Sequence, residues 1–118
     1  MTNEETLRSM YAAFNARDID AVLAAMTDDV DWPRAFKGDR VRGHEAVRDY
    51  WREQWGEIDP HVEPEEIRPR ADGERVEVRV HQVVRDLDGA VVADGTVMHV
   101  YEMRSGLVAR MDVEEPEG

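Results

Sequence analysis

The sequence predicts an α+β fold in which three N-terminal helices cover a curved antiparallel sheet and enclose an apolar pocket. Three observations predict it. Apolar residues recur at helical spacing through the first half of the chain. After Pro60 the period drops to two, the signature of half-buried strands. The chain has 118 residues, 42% of them hydrophobic, which suits one core and is too little for two ordinary domains. One domain is therefore expected over residues 1–118, with its core at about 3–114.

The helices come first. Leu7, Met10, Tyr11 and Phe14 share one helical face, and Thr2 with Glu5 has the spacing of a capping box. Asp18 is the expected N-cap of a short second helix that carries Ile19, Val22, Leu23 and Met26 on one side. Asp28-Asp29 ends it, and Val30 to Ala35 reads as a short strand broken by Pro33. Phe36 to Arg42 reads as a loop, and Gly43-His44-Glu45 opens a third helix. Its stripe of Val47, Tyr50, Trp51, Gln54 and Trp55 needs cover.

Strands follow. His61 to Arg68 contains Pro64, which fits an edge position. Val76, Val78 and Val80 alternate with Glu77, Arg79 and His81, and this strand runs on to Arg85. Asp88-Gly89 marks a turn into a strand from Val91 to Met103, where Gly95 suggests a bulge or kink. Ser105-Gly106 turns the chain into a last strand, with Leu107, Ala109, Met111 and Val113 alternating. The acidic tail 115–118 has nothing to bury.

Composition narrows the function. The formal net charge is -12, from 27 acids against 15 bases, and such a surface repels nucleic acids and anionic membranes. Lys37 is the only lysine, so a Schiff base has one candidate, and it lies in an expected loop. Cysteine is absent, which excludes disulfides and thiolate chemistry and favours a reducing compartment. No secretory signal or transmembrane run is legible, so a cytoplasmic protein is expected.

Phosphate loops, dinucleotide fingerprints, calcium loops and His-Glu-x-x-His are all missing, so no cofactor is expected. The four histidines are scattered. Only His81 and His99 are able to meet across strands, which is too little to predict a metal.

The segment Tyr11-Ala12-Ala13-Phe14-Asn15-Ala16-Arg17-Asp18-Ile19-Asp20 is distinctive. With Met26-Thr27-Asp28-Asp29-Val30, Val41-Arg42-Gly43-His44-Glu45-Ala46-Val47 and His99-Val100-Tyr101, it resembles the SnoaL-like branch of the nuclear transport factor 2-like superfamily. That superfamily includes ketosteroid isomerases, polyketide cyclases, limonene epoxide hydrolases and scytalone dehydratases. The resemblance implies a cone-shaped, cystatin-like α+β roll with a deep pocket, dimeric through the outer sheet face. On that outer face the alternation is read as placing His81, Val83, His99 and Tyr101.

Aligned with ketosteroid isomerase, the oxyanion tyrosine falls on Met10, the general-base aspartate on Arg34 and the protonated aspartate on Met98. Neither methionine nor arginine moves a proton in that chemistry, so ketosteroid isomerisation is not expected. Tyr11 is next to the tyrosine position but turned from it by about 100°.

The alignment implies an interior of Met10, Phe14, Trp32, Trp51, Trp55, Val78, Val80, Gln82, Met98, Val100, Met111 and Val113. Arg34, Gln82, Asp31 and Glu102 are the catalytic candidates: Gln82 to hold an oxygen, Arg34 to offset negative charge, Asp31 or Glu102 to relay a proton. Asp112 alternates with Met111 and Val113, which directs it outside the pocket, next to Arg110; Asp94 is a further acid candidate. The expected ligand is a small, mainly apolar organic molecule. The expected chemistry is cofactor-independent isomerisation, cyclisation, dehydration or hydrolysis, against the alternative of a noncatalytic binding or scaffold domain.

Overall fold

The structure, a computed structural model, describes residues 2–34, 38–70 and 74–114. Ala35, Phe36, Lys37 and the tail 115–118 lie outside the described residues.

Helix α1 (Asn3–Asn15) starts at the expected capping box. Glu5 N–H donates to Thr2 Oγ1 at 3.1 Å and Thr2 N–H to Glu5 Oε1 at 3.2 Å. Asp18 caps α2 (Ile19–Ala24) by accepting from Ala21 N–H at 3.3 Å. Helix α3 (His44–Trp55) follows Gly43, whose φ of 90° suits glycine. Its buried stripe is Val47, Tyr50 and Trp51.

Among the described residues, six strands form one mixed sheet in the order β2-β1-β6-β5-β4-β3. They are β1 (Met26–Pro33), β2 (Arg40–Arg42), β3 (Ile58–Pro69), β4 (Arg75–Asp86), β5 (Val91–Arg104) and β6 (Leu107–Glu114). All neighbours run antiparallel except β1 and β6, which are parallel. Three boundaries depart from the sequence reading, the first being β3, which opens at Ile58 and not at His61. Met26 opens β1 instead of ending α2, because Val108 N–H bonds Ala25 O at 2.9 Å and draws the chain alongside β6. Arg40–Arg42, expected as loop, pairs with Asp31–Pro33.

Curvature comes from bulges. The pairing leaves one extra residue at Glu65 on β3, at Val92 on β5 and at Ala109 on β6. Gly95 is not a bulge; it pairs in register with Gln82. The extra residue at Ala109 lets Val108 and Met111 both face the helices, so Val108 is fully buried while Leu107 is not. Leu7, Val22, Val30, Val47, Trp51, Val78, Val80 and Val108 form the centre of the core under the three helices.

Register also corrects the assignment of β5. Val80 opposes Val97, Val78 opposes His99 and Val76 opposes Tyr101. Directly paired residues share a face, so Val97, His99 and Tyr101 point inward with the β4 valines. Met98, Val100 and Glu102 occupy the opposite face, contrary to the expected interior. Val100 is nonetheless buried there.

Candidate functional site

A cavity of about 220 Å³ lies between the helices and the inner sheet face. Helix α1 contributes Met10, Tyr11 and Phe14, and α3 contributes Tyr50, Trp51 and Gln54. The sheet adds Trp32, Gln82, Val97, His99, Tyr101, Met111 and Val113. Val113 is 44% exposed, so the cavity reaches solvent at the end of β6.

Its walls are held from outside. Asn15 Nδ2 donates to Val62 O at 2.8 Å and Asn15 Oδ1 accepts from Val62 N–H at 3.0 Å, fastening α1 to the edge strand β3. Arg17 continues that seam. In the left-handed conformation, with φ of 62°, it bonds Pro60 O at 2.7 Å, pairs with Asp59 and lies 5.0 Å over the Trp55 ring. Phe14 and Trp32 meet Trp51 edge-on at 5.5 and 5.4 Å, and Trp55 stacks on it at 6.0 Å.

The polar end of this apolar space is a network of three buried side chains. Tyr101 Oη–H donates to Tyr11 Oη at 2.7 Å, and Tyr11 Oη lies 2.8 Å from His99 Nδ1. The Tyr11 and His99 rings stack nearly parallel, 11° apart. Two arrangements of hydrogens satisfy this geometry. With Nδ1 bare, Tyr11 donates to His99. With the proton on Nδ1, His99 and Tyr101 both donate to Tyr11, whose own hydrogen is released to a third oxygen.

Burial sets the charge states. It lowers His99 to about 4, so the imidazole is neutral at pH 7. It raises Tyr11 well above the ordinary phenol value, with the neighbouring Tyr101 adding to the rise. Tyr101 is raised as well, again by burial. Both hydroxyls therefore remain protonated donors at pH 7.

The four catalytic candidates separate. Gln82 lines the cavity. Asp31, Arg34 and Glu102 do not, which corrects the expectation that they approach it. Asp31 is turned into a ring of charges in which Arg40 and Arg110 each bridge Asp31 and Asp112. Arg40 also donates to Met111 O at 2.6 Å, tying β2 across to β6. As expected, Asp112 lies off the cavity beside Arg110, which lowers its pKa by hydrogen bonding. Arg34 forms a two-point pair with Asp39, both bonds at 2.6 Å, at the β1–β2 connection. Glu102 shares the outward parity of Met98 and is exposed. Asp94 pairs with His81 at 2.7 Å, and both are partly exposed to solvent.

Of the expected lining, Met10, Phe14, Trp32, Trp51, Met111 and Val113 border the cavity together with Gln82. Val80 is fully buried in the core and Trp55 packs behind Phe14 and Trp51, so neither borders it. Met98 and Val100 are on the other face of β5. The same parity separates His81 from His99, so these histidines do not meet. Sequence reasoning missed His99 and Tyr101 because it assigned them outward, although their His-x-Tyr spacing puts them on one strand face. Tyr11 was within the α1 stripe, but its turn from the Met10 direction obscured that it reaches the same cavity.

No curated protein matches the chain in sequence. Among solved structures, TerC co-crystallised with polyporic acid is 27% identical with a TM-score of 0.83, over 97% of this chain and 91% of that one. A nuclear transport factor 2-like protein of unknown function from Burkholderia pseudomallei is 28% identical with a TM-score of 0.84, over 98% and 92%. An uncharacterised cystatin-fold protein from Novosphingobium aromaticivorans is 28% identical with a TM-score of 0.78, over 98% and 99%. The model of the SnoaL-like domain matches residues 7–111, and the chain therefore belongs to the SnoaL-like domain family.

Proposed function

We propose that the chain binds a small, mainly apolar organic molecule with one carbonyl or phenolic oxygen, and that this oxygen meets the Tyr11–His99–Tyr101 network. One observation carries the reading: three hydrogen-bonding side chains converge at 2.7 and 2.8 Å inside a cavity otherwise lined mostly by carbon. An apolar cavity of about 150 Å³ takes up benzene, so this one, at about 220 Å³, suits one or two rings. Gln82 offers the guest a second hydrogen-bonding group. The TerC complex with polyporic acid supports a small organic guest.

Turnover of such a guest is cofactor-independent acid/base chemistry of the isomerase, cyclase, dehydratase or hydrolase kind. Tyr11, which accepts from Tyr101 and from the protonated Nδ1 of neutral His99, donates its own hydrogen to negative charge developing on the guest oxygen, and the bare Nε2 of His99 is the nitrogen left to accept a proton from the guest. Arg34, Asp31 and Glu102 have no part in this scheme, since none lines the cavity. A second reading is noncatalytic ligand binding. It is favoured by the lack of any carboxylate among the described lining residues.

Calorimetry with 2-naphthol and naphthalene tests oxygen recognition. 2-Naphthol is expected to bind about tenfold tighter, a difference of one good hydrogen bond, and Tyr11→Phe removes the advantage. Equal affinities in the wild type reject the reading.

We also propose a homodimer through the outer sheet face. There Arg68, Arg70 and Arg79 interleave with Glu66, Glu77 and Glu114, a pattern able to complement itself about a two-fold axis. Sedimentation equilibrium is expected to give twice the chain mass; a monomer at all concentrations rejects it.

A further inference from the structure

We infer that the cavity is one part of a two-part site, whose ligand carries an apolar arm lying in a second groove along α3. The inference rests on the ligand-binding reading above and specifies the ligand: a compact, oxygen-bearing head and an alkyl or aryl arm.

The groove, about 360 Å³, is walled by Tyr50, Gln54, Ile58, Val84, Val92 and Ala93. Tyr50 and Gln54 also border the cavity, and Gln54 Nε2 donates to Tyr50 Oη at 2.9 Å. The two spaces thus meet at one side-chain hydrogen bond on consecutive turns of α3. Gln54 is partly exposed, so its side chain has room to change rotamer, and in the proposed site that change opens one space to the other.

Among the described residues, four large apolar side chains are exposed: Leu87, Val91, Val92 and Val113. Val92 walls the groove and Val113 lines the cavity, so each of the two spaces carries one exposed valine, while Leu87 and Val91 lie on the same β4–β5 hairpin outside the groove walls. Val92, 59% exposed, is the extra residue of the β5 bulge. Bulges re-aim side chains, and this one turns a valine into the groove. Glu53 and Glu57 stand at its rim, which disfavours a carboxylate on the arm and favours a neutral one.

Two probes separate the parts of the site: 2-naphthol as head alone and 6-butyl-2-naphthol as head with arm, each titrated calorimetrically into the full chain. Each buried methylene strengthens binding severalfold before ordering costs, so the longer probe is expected to bind at least about tenfold tighter. Val92→Asp, which places a charge in the groove, and Ala93→Trp, which fills it, are each expected to bring the ratio of the two Kd values close to one. Leu87→Asp on the hairpin tip, outside the groove walls, retains it, and circular dichroism verifies folding of all three. Binding of 2-naphthol with no gain from the butyl arm overturns the inference and leaves the cavity reading standing. A wild-type ratio that survives both groove variants overturns it too. Failure of both probes to bind overturns the inference together with the reading beneath it.

Discussion

Tyr101, on β5, donates its hydroxyl hydrogen to the hydroxyl of Tyr11, on α1, at 2.7 Å, and the two are 1% and 4% exposed. The bond joins the helical layer to the sheet at the polar end of the cavity. A buried hydroxyl without a partner costs more than its bond contributes, so the two residues are not equivalent. Tyr11→Phe strands both His99 Nδ1 and the Tyr101 hydroxyl and is expected to cost about 1–3 kcal/mol. Tyr101→Phe removes one donor and leaves Tyr11 paired with His99, and is expected to cost about 0.5–1.5 kcal/mol. Urea denaturation measures both, and a reversed order contradicts the network.

His99 gives the chain a defined pH dependence. Burial holds its folded pKa at about 4, below the ordinary 6.5, so the unfolded chain binds the additional proton. The associated stability is fully present above about pH 6.5 and is lost as pH falls through 4, roughly 3 kcal/mol in all. His81 acts in the opposite sense. Asp94 raises its pKa by hydrogen bonding, so its contribution is present at low pH and fades as pH rises. The difference in unfolding free energy between wild type and His99→Gln, measured from pH 4 to 7, isolates the His99 part. A difference that does not change with pH contradicts its burial as a neutral base.

The ring of Asp31, Arg40, Asp112 and Arg110 belongs to the framework and not to the cavity. Arg40→Lys keeps the charge but loses the fork that reaches two carboxylates and two backbone carbonyls. It is expected to cost about 1–2 kcal/mol, more than an isolated surface pair because several bonds go together. Ligand affinity is expected to be unchanged, and calorimetry with 2-naphthol checks this. A large loss of affinity would return Asp31 or Asp112 to the site.

Ser105 and Gly106 form a two-residue hairpin turn with φ of 54° and 83°. Both values are positive, the pattern that favours Asn-Gly. Ser105→Asn is therefore expected to raise stability by about 0.5–1 kcal/mol, read as a higher urea midpoint at unchanged slope.

How far the fold was legible depends on whether one residue pattern had a single structural reading. Thr2, Glu5 and Asp18 sit at helix starts where their side chains have one evident task, and the β4 valines alternate with charges. In β5 that clarity fails. Val97, His99, Tyr101 and Met103 form one set and Met98 and Val100 the other, so both faces carry apolar groups and alternation does not choose between them. The choice is made by the β4–β5 turn and the extra residue at Val92, whereas Gly95 drew attention by its lack of a side chain. That one parity hid two of the three network residues. It also made Glu102 look like a neighbour of the cavity.

A crystal structure of the chain with 2-naphthol bound decides whether the Tyr11–His99–Tyr101 network receives the guest, because it locates the guest's oxygen. That atom is expected about 2.7–3.0 Å from Tyr11 Oη, with the rings between Trp51 and Met111. A guest whose oxygen points to the open end at Val113, or whose rings never enter the space under the helices, contradicts it.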